Sequence, residues 1–252
     1  MNYLNSNINV FPDQWEILRK YTDARIGLGR AGSSLPTNRL LDFKLAHAQA
    51  RDAVYSLLDL EKLKAEIAIL NLQSLEVFSD ASNRTAYLSN PDKGRKLSKD
   101  SANLLINQKV NSSDLCIVLA DGLSADAINI HAITFLKEFF QINQQIKTPI
   151  VFANQSRVAL GDEIGCLLKS KIVVMLIGER PGLTSPTSLG AYITFSPKPG
   201  ITDEKRNCIS NIRPEGLSYK EAALKLNYLI IQMKKLGFSG VELKDDYGGM
   251  IE

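Results

Sequence analysis

Histidine and cysteine are scarce in this chain, with two of the first and three of the second among 252 residues. Cys116, Cys166 and Cys208 are odd in number and widely separated, without a CxxC or Cys/His spacing, so neither a disulfide framework nor a zinc site is expected. They read as reduced thiols. Long hydrophobic runs are missing as well. Stretches such as Ile172 to Ile177 fall far short of the ~20 residues a helix needs to cross a bilayer, which argues against a membrane protein. There is no excess of one charge: 30 Lys and Arg stand against 27 Asp and Glu, a formal +3 without a basic stripe, and nucleic acid is set aside as a partner. The opening MNYLNSNINVFPDQW has neither the basic start nor the apolar core of a secretory signal. A cytoplasmic globular protein is expected.

What is present is an alternation of apolar strands and helices. Leu115 to Ala120, Pro149 to Ala153 and Ile172 to Ile177 are continuous apolar runs of the kind buried on both faces of a parallel sheet. Ala125 to Gln144 and Leu160 to Lys169 are helical stretches between them, and Ala191 to Phe195 is a fourth strand. A short Cys208-Ile209-Ser210 edge adds to it. This rhythm predicts an α/β fold, a Rossmann-like parallel sheet with helices on both faces. The last helix has the clearest ends: Ser218 and Glu221 form a capping box, Tyr219, Ala222, Leu226, Leu229, Ile230 and Met233 the buried face, and Gly237 the stop.

A helical region precedes the sheet. Asp13 to Arg25 mixes charge and apolar residues at helical spacing, with Asp13 at the N-cap. Leu40, Phe43, His47, Ala50, Val54 and Leu57 recur at steps of three and four, which predicts one buried helix face with His47 packed on it and a helix that either runs on through Lys62 to Leu70 or breaks near there. Between these lies Gly27-Leu28-Gly29-Arg30-Ala31-Gly32. It satisfies G-x-G-x-x-G, but it follows a helix rather than a buried strand, and a tight loop is the expected structure. Residues 79–101 are polar, with a basic cluster of Lys93, Arg95, Lys96 and Lys99, and read as a solvated loop.

Chemistry is sparse. Gly122-Leu123-Ser124-Ala125-Asp126 lacks the second glycine of a nucleophile elbow, and His131 is badly placed to serve Ser124 as a base. Ser124 reads as a helix N-cap. P-loop, paired-carboxylate and metal-ligand patterns are absent. Glu179 stands out because it directly follows a buried strand, at the sheet edge where α/β proteins bind ligands. A salt bridge to adjacent Arg180 is the alternative reading.

Several long segments, in order, closely resemble the small subunit of ethanolamine ammonia-lyase. They are ARIGLGRAGSSLPT (24–37), AHAQARDAVYSLLD (46–59), ADGLSADA (120–127), GERPGL (178–183), RNCISNIRPEGLSY (206–219) and SGVELKDD (239–246). The stretch from Glu61 to Asp80 matches less closely. The resemblance implies a subunit of an adenosylcobalamin-dependent lyase that converts ethanolamine to acetaldehyde and ammonia by a radical route. It implies a large-subunit partner that holds the substrate and the catalytic side chains, with cobalamin between the two. Packaging in a bacterial microcompartment is a further implication. The family's corrin-contacting positions correspond to Val158 in RVAL (157–160), Glu179 in GERPGL and Cys208 in CISNI. No Asp-x-His-x-x-Gly pattern is present, in keeping with a family that retains the nucleotide base on cobalt. On this reading residues 1–110 form a helical region for partner docking and residues 111–252 a Rossmann-like cobalamin-contacting domain. A nucleotide-binding oxidoreductase and a non-catalytic scaffold subunit are the alternatives.

Overall fold

The computed structural model describes residues 10–108, 113–146 and 148–247. The expected domain boundary at 110–111 and the first nine residues lie outside these. A two-stranded ribbon of β1 (Val10–Phe11) and β2 (Arg30–Ala31) is followed by α1 (Thr37–Tyr55), α2 (Leu60–Ile69), β3 (Ser74–Phe78), α3 (Arg84–Ser89) and α4 (Lys99–Asn107). Then come β4 (Leu115–Ala120), α5 (Ala125–Ala127), a π-helical turn (Ile128–Ala132), α6 (Ile133–Ile142), β5 (Ile150–Asn154) and α7 (Leu160–Leu167). The chain closes with β6 (Ile172–Gly178), β7 (Leu189–Phe195), β8 (Arg206–Ile212) and α8 (Tyr219–Leu236).

Six strands form one sheet in the order β3-β5-β4-β6-β7-β8. The first four are parallel, as the apolar runs predict. β7 instead runs antiparallel to both neighbours. The reason is the short connection from Glu179 to Ser188: a parallel return needs a crossover of a dozen residues or more, whereas an antiparallel one needs only a loop. Alternate residues of each strand serve two cores. Leu115, Ile117 and Leu119 of β4 face the layer of α2, α6 and α8, while Cys116, Val118 and Ala120 face α4 and α7. The protein is therefore mixed α/β with a mostly parallel sheet between two helical layers.

Four expectations about the first hundred residues need correction. The segment after Asp13 forms only a 3-10 turn, Glu16–Lys20, and Asp13 accepts the Trp15 N–H in a local turn instead of capping a helix (2.8 Å). The long helix breaks at Ser56, where the backbone turns extended (φ −63°, ψ 154°), and Asp59 caps α2 through the Lys62 N–H (3.2 Å). β3 is an addition to the expected strands; its Ser74-Leu75-Glu76-Val77 alternation is that of a strand with one buried face, but it spans only five residues. It lies at the sheet edge, where Glu76 takes a 2.6 Å ion pair from Lys64. The polar stretch 79–101 contains α3, whose N-cap Asn83 accepts the Ala86 N–H (2.9 Å), and a 3-10 turn at Lys93–Arg95.

The largest departure is α1. Its buried residues are Ala46 and Ala53; Leu40, Phe43, His47 and Leu57 are exposed. Hydrophobic periodicity reports that a helix face is fit for burial but not which chain covers it. Among the described residues little of that face is covered. The GLGRAG segment is a loop, as expected, with Gly27, Gly29 and Gly32 all at positive φ and its middle forming β2.

Candidate functional site

The carboxyl ends of β4, β5 and β6 bring three loops together. In the crevice between β4 and β5 their following helices diverge to opposite faces, α6 to one and α7 to the other. That is the switch point at which open α/β sheets receive ligands. Here it is filled from within. Asp121, buried just past β4, accepts the backbone N–H of Gln155 (2.8 Å) and of Ser156 (2.9 Å). Arg84 of α3 donates to Asp121 Oδ2 (3.1 Å), to the Gly122 carbonyl (3.0 Å) and, through Nε, to the Val54 carbonyl (2.7 Å). Its guanidinium also lies over the Tyr87 ring, which Arg157 covers at 4.5 Å. A carboxylate and a guanidinium thus occupy the place where a nucleotide phosphate would meet backbone N–H groups.

The neighbouring loop carries Glu179. Its side chain bonds with no Arg180; Ser188 Oγ donates to Oε2 at 2.5 Å, and the Asn211 N–H donates to the same oxygen at 3.3 Å. That second donor is supplied by a bulge. The β7–β8 register slips between Leu189 and Ala191, and Asn211 takes a left-handed conformation (φ 59°). Such bulges re-aim a group that the ladder would otherwise use. Gly190 makes room for the carboxylate, since a Cβ there would meet Glu179 Oε1 at 3.0 Å. No hydrogen bond to Oε1 occurs among the described residues.

Cys208 lies on β8 directly opposite Tyr192 of β7, which in turn faces Met175 of β6. Cross-strand partners share a face, and this is the face of α4 and α7. Partial burial of the thiol, and then the Glu179 charge, push the Cys208 pKa up, while contact with the Tyr192 hydroxyl lowers it. Burial also raises the Tyr192 phenol, helped by Cys208 and Glu179. Glu179, Tyr192 and Cys208 therefore form one electrostatic neighbourhood. Val158, in the loop between β5 and α7, is partly buried against the same apolar layer as Tyr192, Met175 and Ile177.

The two faces of β7 and β8 are covered unequally. On one, Leu189, Ala191, Ile193, Ile209 and Ile212 are buried beneath α8. On the other, α7 packs beside β6, and Cys208 and Ser210 are left exposed, with Tyr192 half-buried. No helix among the described residues lies over this strip. Its lower end is closed by Arg206, which pairs with Asp162 of α7 and with Asp203.

Two other residues singled out by sequence have structural roles. Ser124 occupies the position before α5 but makes no capping bond; its hydroxyl donates to the Pro186 carbonyl (3.0 Å), tying the β4 loop to the β6–β7 loop. His131 is buried in the π-helical turn, where burial lowers its pKa and its Nδ1 lies 2.7 Å from the Tyr219 hydroxyl. Sequence reasoning missed Arg84 and Tyr192. Strand alternation held a signal for the second: Tyr192 is the polar-tipped residue between Ala191 and Ile193 and must face away from them.

Comparison with known proteins places these features in a family. The family model described as ethanolamine ammonia-lyase light chain matches residues 12–244. The ethanolamine ammonia-lyase small subunit of Pseudomonas fluorescens (strain Pf0-1) is 51% identical over 238 residues, covering 92% of this chain and 87% of the relative. That of Pseudomonas putida (strain GB-1) is 50% identical, covering 93% and 89%. That of Rhodopseudomonas palustris (strain BisA53) is 49% identical, covering 91% and 89%. With the match spanning almost the whole sheet, its helical layers and all three loops, this chain belongs to the ethanolamine ammonia-lyase light chain family.

Proposed function

We propose that this chain is the small subunit of an adenosylcobalamin-dependent ethanolamine ammonia-lyase, building one wall of the cobalamin site while a large subunit holds the substrate and converts it to acetaldehyde and ammonia. The observation that carries this is the strip of β7 and β8 left without a helix among the described residues, with Glu179 and Cys208 along it and Val158 packed against the same apolar layer as Tyr192. A corrin offers a broad apolar face fringed by neutral amides. Val158 suits the apolar part, and Oε1 of Glu179, which has no hydrogen bond among the described residues, suits an amide N–H. Cys208, a small apolar group with a protonated thiol, serves as a packing surface and not as a cobalt ligand.

When bound, the cofactor supplies radical chemistry through homolysis of its cobalt–carbon bond. The residues of this chain bind and orient. Ser188 and the Asn211 N–H occupy one oxygen of Glu179 and aim the other. No acid, base or nucleophile of this chain acts on ethanolamine.

The N-terminal segment supports the second half of the proposal, assembly. Trp15, Ile17, Tyr21, Leu41, Leu45 and Leu57 are 58%, 61%, 84%, 59%, 61% and 76% exposed. Apolar surface of that kind marks a docking face, and a small subunit has a large one to meet. Packaging of the complex in a bacterial microcompartment belongs to the same reading.

The site is tested by Glu179→Ala in the complex assembled with the large subunit. Loss of a hydrogen bond to a charged acceptor is worth about 1.5–3 kcal/mol, so the cobalamin dissociation constant should rise roughly ten- to hundredfold. A constant equal to that of the wild type would favour a scaffold subunit without cofactor contact.

A further inference from the structure

Tyr87 of α3 is fully buried, yet it packs in neither of the two cores that flank the sheet. What it touches is the loop after β5. Its hydroxyl donates to the Ser156 carbonyl (3.0 Å), and the Arg157 guanidinium lies over its ring, 4.5 Å from the centroid. Among the described residues Arg157 Nε, though buried, has no hydrogen-bond partner, so the negative face of the ring is what holds this guanidinium. The rest of the loop is held as closely. Asp121 accepts the Gln155 and Ser156 N–H groups, the Gly94 carbonyl accepts the Arg157 N–H (2.8 Å), and Ser156 Oγ donates to the Arg157 carbonyl (3.2 Å). The turn that carries Gly94 presses on both partners, since a Cβ there would meet Tyr87 Cε2 at 2.8 Å and Arg157 Cγ at 2.9 Å. Gln155 takes a left-handed conformation (φ 55°), a strained state that persists only where the surroundings over-determine it. The next residue that this clamped segment delivers is Val158.

We propose that Tyr87 is a positioning residue for the cofactor wall: it clamps residues 155–157 so that Val158 is held where it can meet the corrin. This rests on the proposed function above, in which Val158 touches cobalamin. Tyr87 is itself fully buried and acts only through the loop. Without the clamp the strain at Gln155 is released, other loop conformations are populated, and the apparent affinity for cobalamin falls with the fraction of loops still in place.

The test measures the dissociation constant of cyanocobalamin in the complex with the large subunit, from the cobalt–corrin absorption bands. Tyr87→Phe, which keeps the ring and loses the hydroxyl, should raise it roughly two- to tenfold, the worth of one hydrogen bond. Tyr87→Leu, which loses the ring face as well, should raise it roughly tenfold or more. Val158→Ala separates positioning from general damage. In that background Tyr87→Leu is expected to add a factor within about twofold, because the contact it positions has been removed and the two changes are coupled. Tyr87→Leu should also raise the adenosylcobalamin concentration for half-maximal ammonia release, with a much smaller change in the maximal rate, since excess cofactor draws the loop back to the competent state. An unchanged constant in Tyr87→Leu, the same factor in both backgrounds, or a loss confined to the maximal rate would overturn the assignment. If Tyr87→Leu does not assemble, Tyr87→Phe is judged by the same criteria. Failure of the cofactor-wall reading looks different: Val158→Ala and Glu179→Ala would then both bind cyanocobalamin as the wild type does, and the positioning role would fall with it.

Discussion

Asp162→Ala is expected to cost about 3–5 kcal/mol of stability, the usual penalty for removing one partner of a buried ion pair. Asp162 on α7 and Arg206 at the start of β8 are both 2% exposed at their side chains, and their pairing ties the α7 layer to the sheet edge. The two partners are not equivalent. A carboxyl left alone escapes its charge by taking up a proton, but a guanidinium cannot lose one at any ordinary pH. In Asp162→Ala, Arg206 keeps, among the described residues, the Ile201 carbonyl (2.9 Å) and Asp203, whose side chain is 87% exposed. Arg206→Met should therefore be milder than Asp162→Ala, and Asp162→Leu with Arg206→Met should recover much of the loss. Urea unfolding of the full chain measures all three. A loss under about 1 kcal/mol for Asp162→Ala would show that the pair is solvated or already strained.

Asp121→Ala should be comparably severe, about 3–5 kcal/mol, because one carboxylate there satisfies three donors. Two are backbone N–H groups, of Gln155 and Ser156, that have turned away from the sheet; the third is Arg84. Arg84 also holds the Val54 carbonyl at the end of α1, so the effect should spread from the β4–β5 crevice to the N-terminal helix. Asp121→Asn keeps an acceptor but points an amide N–H at one of the donors, and it should fall between alanine and wild type. If the asparagine variant unfolds at the wild-type urea concentration, charge is not what the crevice needs. The same geometry bears on the oxidoreductase alternative. The switch point is filled by a salt bridge of the chain's own, and the G-x-G-x-x-G segment lies in a loop outside the sheet.

Most of the sheet was legible because buried parallel strands are uninterrupted apolar runs, and α8 because its ends carry their own chemistry. Ser218 accepts the Glu221 N–H (3.3 Å) and Gly237 adopts φ 81°, as the letters require. β3 was not read from the sequence because it is only five residues long, although Ser74-Leu75-Glu76-Val77 alternates polar and apolar residues as a strand with one buried face does. The direction of β7 was hidden for another reason, since the residues of a strand do not state which way it runs. The site was legible only in part. Glu179 stood out as a charge after an apolar run, whereas Val158 and Cys208 carry no chemical signal and entered through resemblance alone. The bulge at Asn211 that aims Glu179 depends on register between strands and has no signature in a single segment. α1 shows the opposite limit. Its apolar period is real, but among the described residues little of that face is covered.

The most direct assay measures ammonia released from ethanolamine in the presence of adenosylcobalamin by this chain alone, by a matched large subunit alone, and by the two together. Release only by the mixture is the predicted result, because the proposed function gives this chain a wall of the cofactor site and no catalytic group. A mixture that co-purifies and yet releases no ammonia, or a large subunit fully active without this chain, would contradict it.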